Sequence, residues 1–191
     1  MLYCDSRGQL QNLSVLPLNP SQSVPVSEQR YVIHAPIQKV FEAYCTAKPH
    51  HMWPAHRIEF RFCTLPENDK RYGPLDEIPP VQQGMQMFCD LKVKPLGRYL
   101  SIMVGVEVTQ LVPNKEIRYD YLQGAVTRGF NRMSFSEEHT SDGNAITHVH
   151  HYSEYQATSP VLRFFFPVLQ PLLHVGFVNE LHRGMKRRIE A

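Results

Sequence analysis

Between Met85 and Ala157, apolar and polar residues alternate in successive runs: MQMFCDLKV, YLSIMVGVEVTQLV, EIRYDYLQG, FNRMSFSEE and AITHVHHYSEYQA. A period of two places alternate side chains on opposite faces of a pleated strand, so each run predicts a β-strand. Pro113-Asn114-Lys115 and Ser141-Asp142-Gly143-Asn144 supply turn residues between consecutive runs. Neighbouring strands are therefore expected as antiparallel hairpins in a meander. Upstream, QRYVIH predicts a strand that Ala35-Pro36 ends, because proline fixes its own φ and restricts the residue before it. In IQKVFEAYCTA the apolar residues Ile37, Val40, Phe41, Tyr44 and Cys45 have the spacing of one buried helical face. IEFRFC predicts a strand with Ile58, Phe60 and Phe62 on one side. Residues 65–84, rich in Pro, Gly and charge, predict a long loop.

After Ser159-Pro160 the period becomes helical and stays so to the C-terminus. His174, Val178, Leu181, Met185 and Ile189 fall on one stripe of a long helix, flanked by Phe177. Arg183, Lys186, Arg187 and Arg188 gather near its end, where positive charge complements the helix dipole. Pro167 and Pro171 are expected to break or kink its start.

A strand, one or two short helices, a run of antiparallel strands and a long final helix make an α+β arrangement in which the helix covers one face of a curved sheet. In that order VIHAPIQKVFEAY, MWPAH, VEVTQLVPNKEIRYDYLQG, GFNRMSFSEEHTSDGNAITHVHHYSEY and LHRGMKRRIEA resemble the START-like helix-grip superfamily, which includes polyketide cyclase/aromatase-like and lipid-transfer proteins. The resemblance spans residues 28–191 as one domain and leaves 1–27, with Pro17, Pro20 and Pro25, as an extended N-terminal arm carrying at most one strand in QLQNLSVLPL. It implies a curved antiparallel sheet wrapped around the C-terminal helix, with an internal cavity that holds lipids, sterols, polyketides or other apolar molecules. The likeness lies in order and pattern and carries no catalytic signature.

The chain has 191 residues, long enough for one domain with a sizeable core. Lys plus Arg total 20 against 18 Asp plus Glu, which gives no field that favours nucleic acid as the main partner. Met1 to Leu10 lacks a basic start followed by an apolar run, so the expected location is the cytoplasm. Cys4, Cys45, Cys63 and Cys89 are too dispersed for a disulfide framework or a zinc site, and free, mostly buried thiols are expected. The apolar stretch Val161–Val178 carries Arg163, Gln170, His174 and two prolines, which makes it a poor membrane span. Phe164, Phe165 and Phe166 beside Arg163 would suit a transient contact with a membrane surface, with packing against the N-terminal arm as the plainer reading.

Candidate chemistry sits on two strands and the last helix. Tyr119 and Tyr121 share the apolar face of EIRYDYLQG with Ile117 and are expected as cavity wall, opposite Glu116, Arg118 and Asp120. THVHHYSEYQA divides into Thr147, Val149, His151, Ser153 and Tyr155 on one face and His148, His150, Tyr152, Glu154 and Gln156 on the other. The first set is the more apolar, and it matches the pattern of the resembled superfamily, in which a threonine just after a glycine turn starts the inward row. His151 and Tyr155 are therefore placed inside. His148 and His150, with Glu154, have the spacing of a one-sided metal chelate, but solvent or a partner subunit satisfies the same face, and no metal is assigned. His174 would face His151 across the cavity, either as a satisfied core histidine or as a partner to a ligand. GxSxG, HExxH, GxGxxG and P-loop motifs are absent.

Two functions follow. The first is noncatalytic binding or transport of a hydrophobic small molecule, without a cofactor, in a pocket lined by Val104, Val106, Tyr119, Tyr121, Met133, Phe135, His151, Tyr155, His174, Val178 and Leu181. The second is a cyclase/aromatase or dehydratase-type enzyme in which His151, His174 or a tyrosine moves protons on a reactive ketone chain. A homodimer is compatible with either.

Overall fold

The structure is a computed structural model that describes residues 13–15, 17–19, 26–48, 52, 58–93, 100–123, 127–158, 164 and 174–191. Its elements run β1 (Val26–Ile33), α1 (Ile37–Thr46), β2 (Ile58–Leu65), β3 (Asn68–Tyr72), β4 (Gln86–Val93), β5 (Leu100–Val112), β6 (Glu116–Tyr121), β7 (Thr127–His139), β8 (Ala145–Ala157) and α2 (Gly176–Glu190). The strands form one 8-stranded sheet in the order β1-β8-β7-β6-β5-β4-β2-β3, antiparallel at each pairing. With α1 and α2 packed on its concave face, this is the α+β helix-grip arrangement expected from the sequence.

The meander from β4 to β8 follows the alternating runs, and β8 coincides with AITHVHHYSEYQA. β8 then pairs with β1, which sets Gln29 opposite His151 and Tyr31 opposite Val149. On the concave side Ile33, Val108, Ile117, Met133, Phe135 and Val149 meet Val40, Phe41 and Tyr44 of α1 and Met185 and Ile189 of α2 in one buried cluster. Burying an apolar side chain of this size contributes roughly 1.5–3 kcal/mol, so this face dominates the stability of the fold. Phe41 and Tyr44 both meet Phe135 edge-on, with ring centroids 5.4 and 5.5 Å apart.

Two local expectations are corrected. Residues 65–84 are not a continuous loop, because Pro66 and Glu67 turn the chain into β3, which pairs with β2 at Cys63–Tyr72. β3 is an edge strand of polar residues, NDKRY, and so lacks the apolar alternation that marks a buried strand. Phe62 does not share the face of Ile58 and Phe60. A register shift between Phe60 and Phe62 inserts an extra residue into β2 and turns Phe62 outward, where it stacks on Phe88 at 4.5 Å.

Both helices are tied at their ends. The Ile37 N–H at the start of α1 donates to Glu137 Oε2 at 2.7 Å, which places a carboxylate at the positive end of the helix. Lys39 Nζ donates to the Ile189 carbonyl at 2.8 Å, and the His34 N–H donates to Glu190 Oε1 at 2.8 Å, so α2 ends clamped to β1 and α1. The strand expected in QLQNLSVLPL reduces, among the described residues, to a single bridge from Val15 to Leu122. Leu13 packs there with Phe88 and Leu122 on the outer face, and Asn19 exchanges two hydrogen bonds with Gln156. Among the described residues no helix is long and apolar enough to cross a membrane.

Candidate functional site

Strand register gathers polar side chains on the concave face. Ser153 of β8 lies beside Asn131 of β7, which lies beside Tyr119 of β6, while His151 lies beside Met133. Over this row α2 lays His182, because Val178, Leu181, His182, Met185 and Ile189 fall on one face of the helix, and all five are buried.

The result is a continuous chain of hydrogen bonds. The Tyr44 hydroxyl is 2.6 Å from His182 Nδ1, and His182 Nε2 is 2.9 Å from His151 Nδ1. His151 Nε2 lies 3.1 Å from Ser153 Oγ, and His174 Nε2 reaches the same oxygen at 3.0 Å. Ser153 itself donates to Asn131 Oδ1 at 2.8 Å.

That last bond sets the direction of the others. Serine has one proton and two lone pairs, so with its proton on Asn131 it accepts from the N–H groups of His151 and His174. A neutral imidazole that donates from Nε2 accepts at Nδ1. His151 Nδ1 therefore accepts from His182 Nε2, and His182 Nδ1 accepts from Tyr44. All three rings are neutral Nε2–H tautomers. The Asn131 and Thr127 side chains carry the network on to the Tyr121 hydroxyl.

Burial keeps the row uncharged. Loss of solvent lowers His182 to about 3 and His174 to about 4. It also holds His151 well below its ordinary value, with the neighbouring His182 and His174 adding to the effect. Burial pushes the Tyr44 and Tyr119 hydroxyls far above the usual tyrosine value and Tyr31 up to about 12. The inward rows of β1 and of β4 to β8 contain no Lys or Arg.

The residues expected to line a pocket are graded in burial. Met133, Phe135, His151, Tyr155, Val178 and Leu181 are buried. Val104, Val106, Tyr119, Tyr121 and His174 are half-buried. Val104 pairs with Cys89, and Val106 with Met87 and Tyr121, so both lie on the concave side. α1 and α2 thus close the face around Phe135 and Met133, while Val104, Val106, Tyr119 and Tyr121 on β5 and β6 keep accessible surface. Ser153 and Asn131 stand between the two zones. His151 and His174 come together as expected, with ring centroids 6.2 Å apart, and Tyr155 packs at 4.7 Å against His174.

Sequence reasoning missed His182, Tyr44 and Tyr31 as members of the site. Tyr31 stacks on His182 at 4.1 Å and lies 2.7 Å from Asn179 Oδ1. A signal for His182 was present, since it stands four residues after Val178 and three before Met185, both on the apolar stripe.

On the outer face His148 Nε2 lies 3.1 Å from Glu138, and His150 Nε2 lies 3.0 Å from Glu28, whose carboxylate also pairs with Arg30. They border a depression of ≈ 360 Å³ with Arg30, Ser134 and Ser136. Among the described residues no group of three or more His, Cys, Asp or Glu is placed to hold a metal ion. Cys63 and Cys89 are buried and Cys45 is half-buried, all as free thiols, while Cys4 lies outside the described residues. Burial pushes Cys45 and Cys63 up to about 11, so they stay protonated and unreactive. Phe164 is exposed, and Phe165 and Phe166 lie outside the described residues.

No protein-family model and no curated protein matches the sequence. Solved structures do match in fold. Norcoclaurine synthase from Thalictrum flavum, in complex with dopamine and hydroxybenzaldehyde, superposes with a TM-score of 0.58 at 9% identity, over 94% of this chain and 96% of that one. Major latex-like protein 151 from Panax ginseng gives 0.53 at 10% identity, over 86% and 97%. At such identities the likeness establishes the helix-grip fold and leaves the chemistry to the residues themselves.

Proposed function

We propose that the protein binds or carries a hydrophobic small molecule on the concave side of the sheet, beside α2, without transforming it. The observation that carries this reading is the accessible apolar surface of Val104, Val106, Tyr119 and Tyr121, which adjoins the buried core and is edged by a row of hydrogen-bonded polar groups. Mostly apolar walls with a few fixed polar groups are the usual make-up of a small-molecule site. A protein of the same fold, norcoclaurine synthase, holds dopamine and hydroxybenzaldehyde.

The wiring of the histidines favours binding over proton transfer. Both nitrogens of His151 are engaged by protein partners, so it has no lone pair to offer a substrate. His174 Nδ1 has no partner among the described residues, but burial lowers the ring to about 4, too weak a base for efficient proton abstraction near neutrality. A cyclase or dehydratase acting through these rings would need the opposite arrangement.

Native mass spectrometry and solvent extraction of freshly purified protein test the reading. A co-purifying apolar molecule, or uptake of a lipid, sterol or polyketide probe by the emptied protein, is the expected result. A protein that is empty and takes up none of these probes would refute it. Collection of the ligand from a membrane surface through the exposed Phe164 is part of the same proposal, and liposome flotation unchanged by Phe164→Ser would remove that part.

A further inference from the structure

The hydrogen-bond directions on the concave face constrain the polar end of a ligand. Of the six ring nitrogens in His151, His174 and His182, five are engaged by protein partners. The sixth, His174 Nδ1, has no partner among the described residues. Because the Nε2–H of His174 is spent on Ser153, Nδ1 carries a lone pair and can only accept. The ring is half-buried at the entrance to α2, against Tyr155, on the same side as Tyr119 and Tyr121.

Resting on the binding reading above, we propose that the ligand is a neutral apolar molecule with a hydroxyl group that donates to His174 Nδ1, and that the site rejects carboxylates. A hydroxyl supplies the proton that this lone pair lacks. A carboxylate supplies none, since when ionised it is an acceptor only. It would also have to leave water for a surface whose inward strand rows hold no Lys or Arg. Among the described residues the titratable groups that face it are Tyr31, Tyr44, Tyr119, Tyr121, Tyr155 and the three histidines, and the nearby Arg183 of α2 is exposed. Recruiting a counter-charge would require protonating a histidine that the protein encloses in its neutral form. An ether matches the hydroxyl in shape but brings no proton, so it discriminates between donor recognition and simple apolar packing.

Four probes on one ring system test this by titration calorimetry at neutral pH: naphthalene, methoxynaphthalene, naphthol and naphthoate. Naphthol is expected to bind about tenfold more tightly than methoxynaphthalene, the effect of one net hydrogen bond. Naphthoate is expected to bind at least about a hundredfold more weakly than naphthol, the effect of an unpaired charge leaving water. The naphthol advantage should vanish in His174→Phe, which keeps a ring against Tyr155. It should shrink in Ser153→Ala, which frees the Nε2–H and so releases the tautomer. Ser153→Ala serves alone if His174→Phe fails to fold. Equal affinities for naphthol and methoxynaphthalene, or naphthoate binding as tightly as naphthol, would overturn the inference and leave the binding reading standing. Failure of all four probes to bind would overturn the inference, and only if the protein is also empty and takes up no lipid, sterol or polyketide probe would the binding reading fall with it.

Discussion

Acidification from about pH 7.5 to about pH 5 should destabilise the fold through His182, His174 and His151. An unfolded chain's histidine titrates near 6.5, roughly the middle of that interval. In the folded protein burial lowers His182 to about 3 and His174 to about 4, and it keeps His151 well below its ordinary value. A basic group with a depressed folded pKa takes up its proton first in the unfolded chain, so acid favours unfolding. Its contribution is complete above about pH 6.5 and is lost as the pH falls towards the folded value. By about pH 5 His182 and His174 have each lost about 1.5 pH units of linkage, worth about 2 kcal/mol apiece, and His151 adds to the loss in the same direction. The three together should cost at least about 4 kcal/mol out of a typical total of about 5–15. Urea unfolding followed by circular dichroism at the two pH values, at equal ionic strength, measures the loss directly. Ordinary carboxylates titrate mostly below this window and contribute little. His182→Phe removes one of the three groups, and although it lowers stability at every pH, the pH-dependent part should fall by about 2 kcal/mol. Equal stability at both pH values, or an undiminished loss in His182→Phe, would refute the claim that these rings are held neutral.

Other consequences are open to simpler measurement. Tyr44→Phe keeps the ring that meets Phe135 but leaves His182 Nδ1 enclosed without its donor, so it should cost about 1–3 kcal/mol in urea unfolding. A change within about 0.3 kcal/mol would show that the bond contributes nothing net. Gly129 has φ +119°, and a Cβ there would lie 2.1 Å from the backbone oxygen of Glu154. Gly129→Ala should therefore lower stability by about 3 kcal/mol or prevent folding, and a wild-type melting temperature would contradict this. Labelling of Cys63 and Cys89 with a thiol reagent should be slow in the native protein and should accelerate together with unfolding in urea. Rapid stoichiometric labelling of both in native buffer would be inconsistent with their enclosure.

What the sequence by itself determined is what a single element can encode. Alternation along THVHHYSEYQA separated His151, Ser153 and Tyr155 from His148 and His150, and the structure keeps that division, because a period of two is a local property of an extended backbone. The same logic placed Tyr119 and Tyr121 inward, put Val178, Leu181, Met185 and Ile189 on the buried face of α2, and supported the helix-grip order. Where an element carried little local signal, the reading failed. The edge strand β3 is short and mostly polar and so carries no apolar alternation, and a bulge that reverses Phe62 is settled by how β2 pairs with β4.

Tertiary structure alone decided the site. His182 lies on the border of the apolar stripe, and only the placement of α2 over β8 puts it within 2.9 Å of His151 and 2.6 Å of Tyr44. Neither the neutrality of the rings nor the acceptor state of His174 Nδ1 is encoded near any one of them. Both follow from Ser153 meeting Asn131 on the next strand, and so from the register of β7 against β8. Register and helix placement are sums of many small packing energies across the whole concave face, so no short stretch of sequence specifies them.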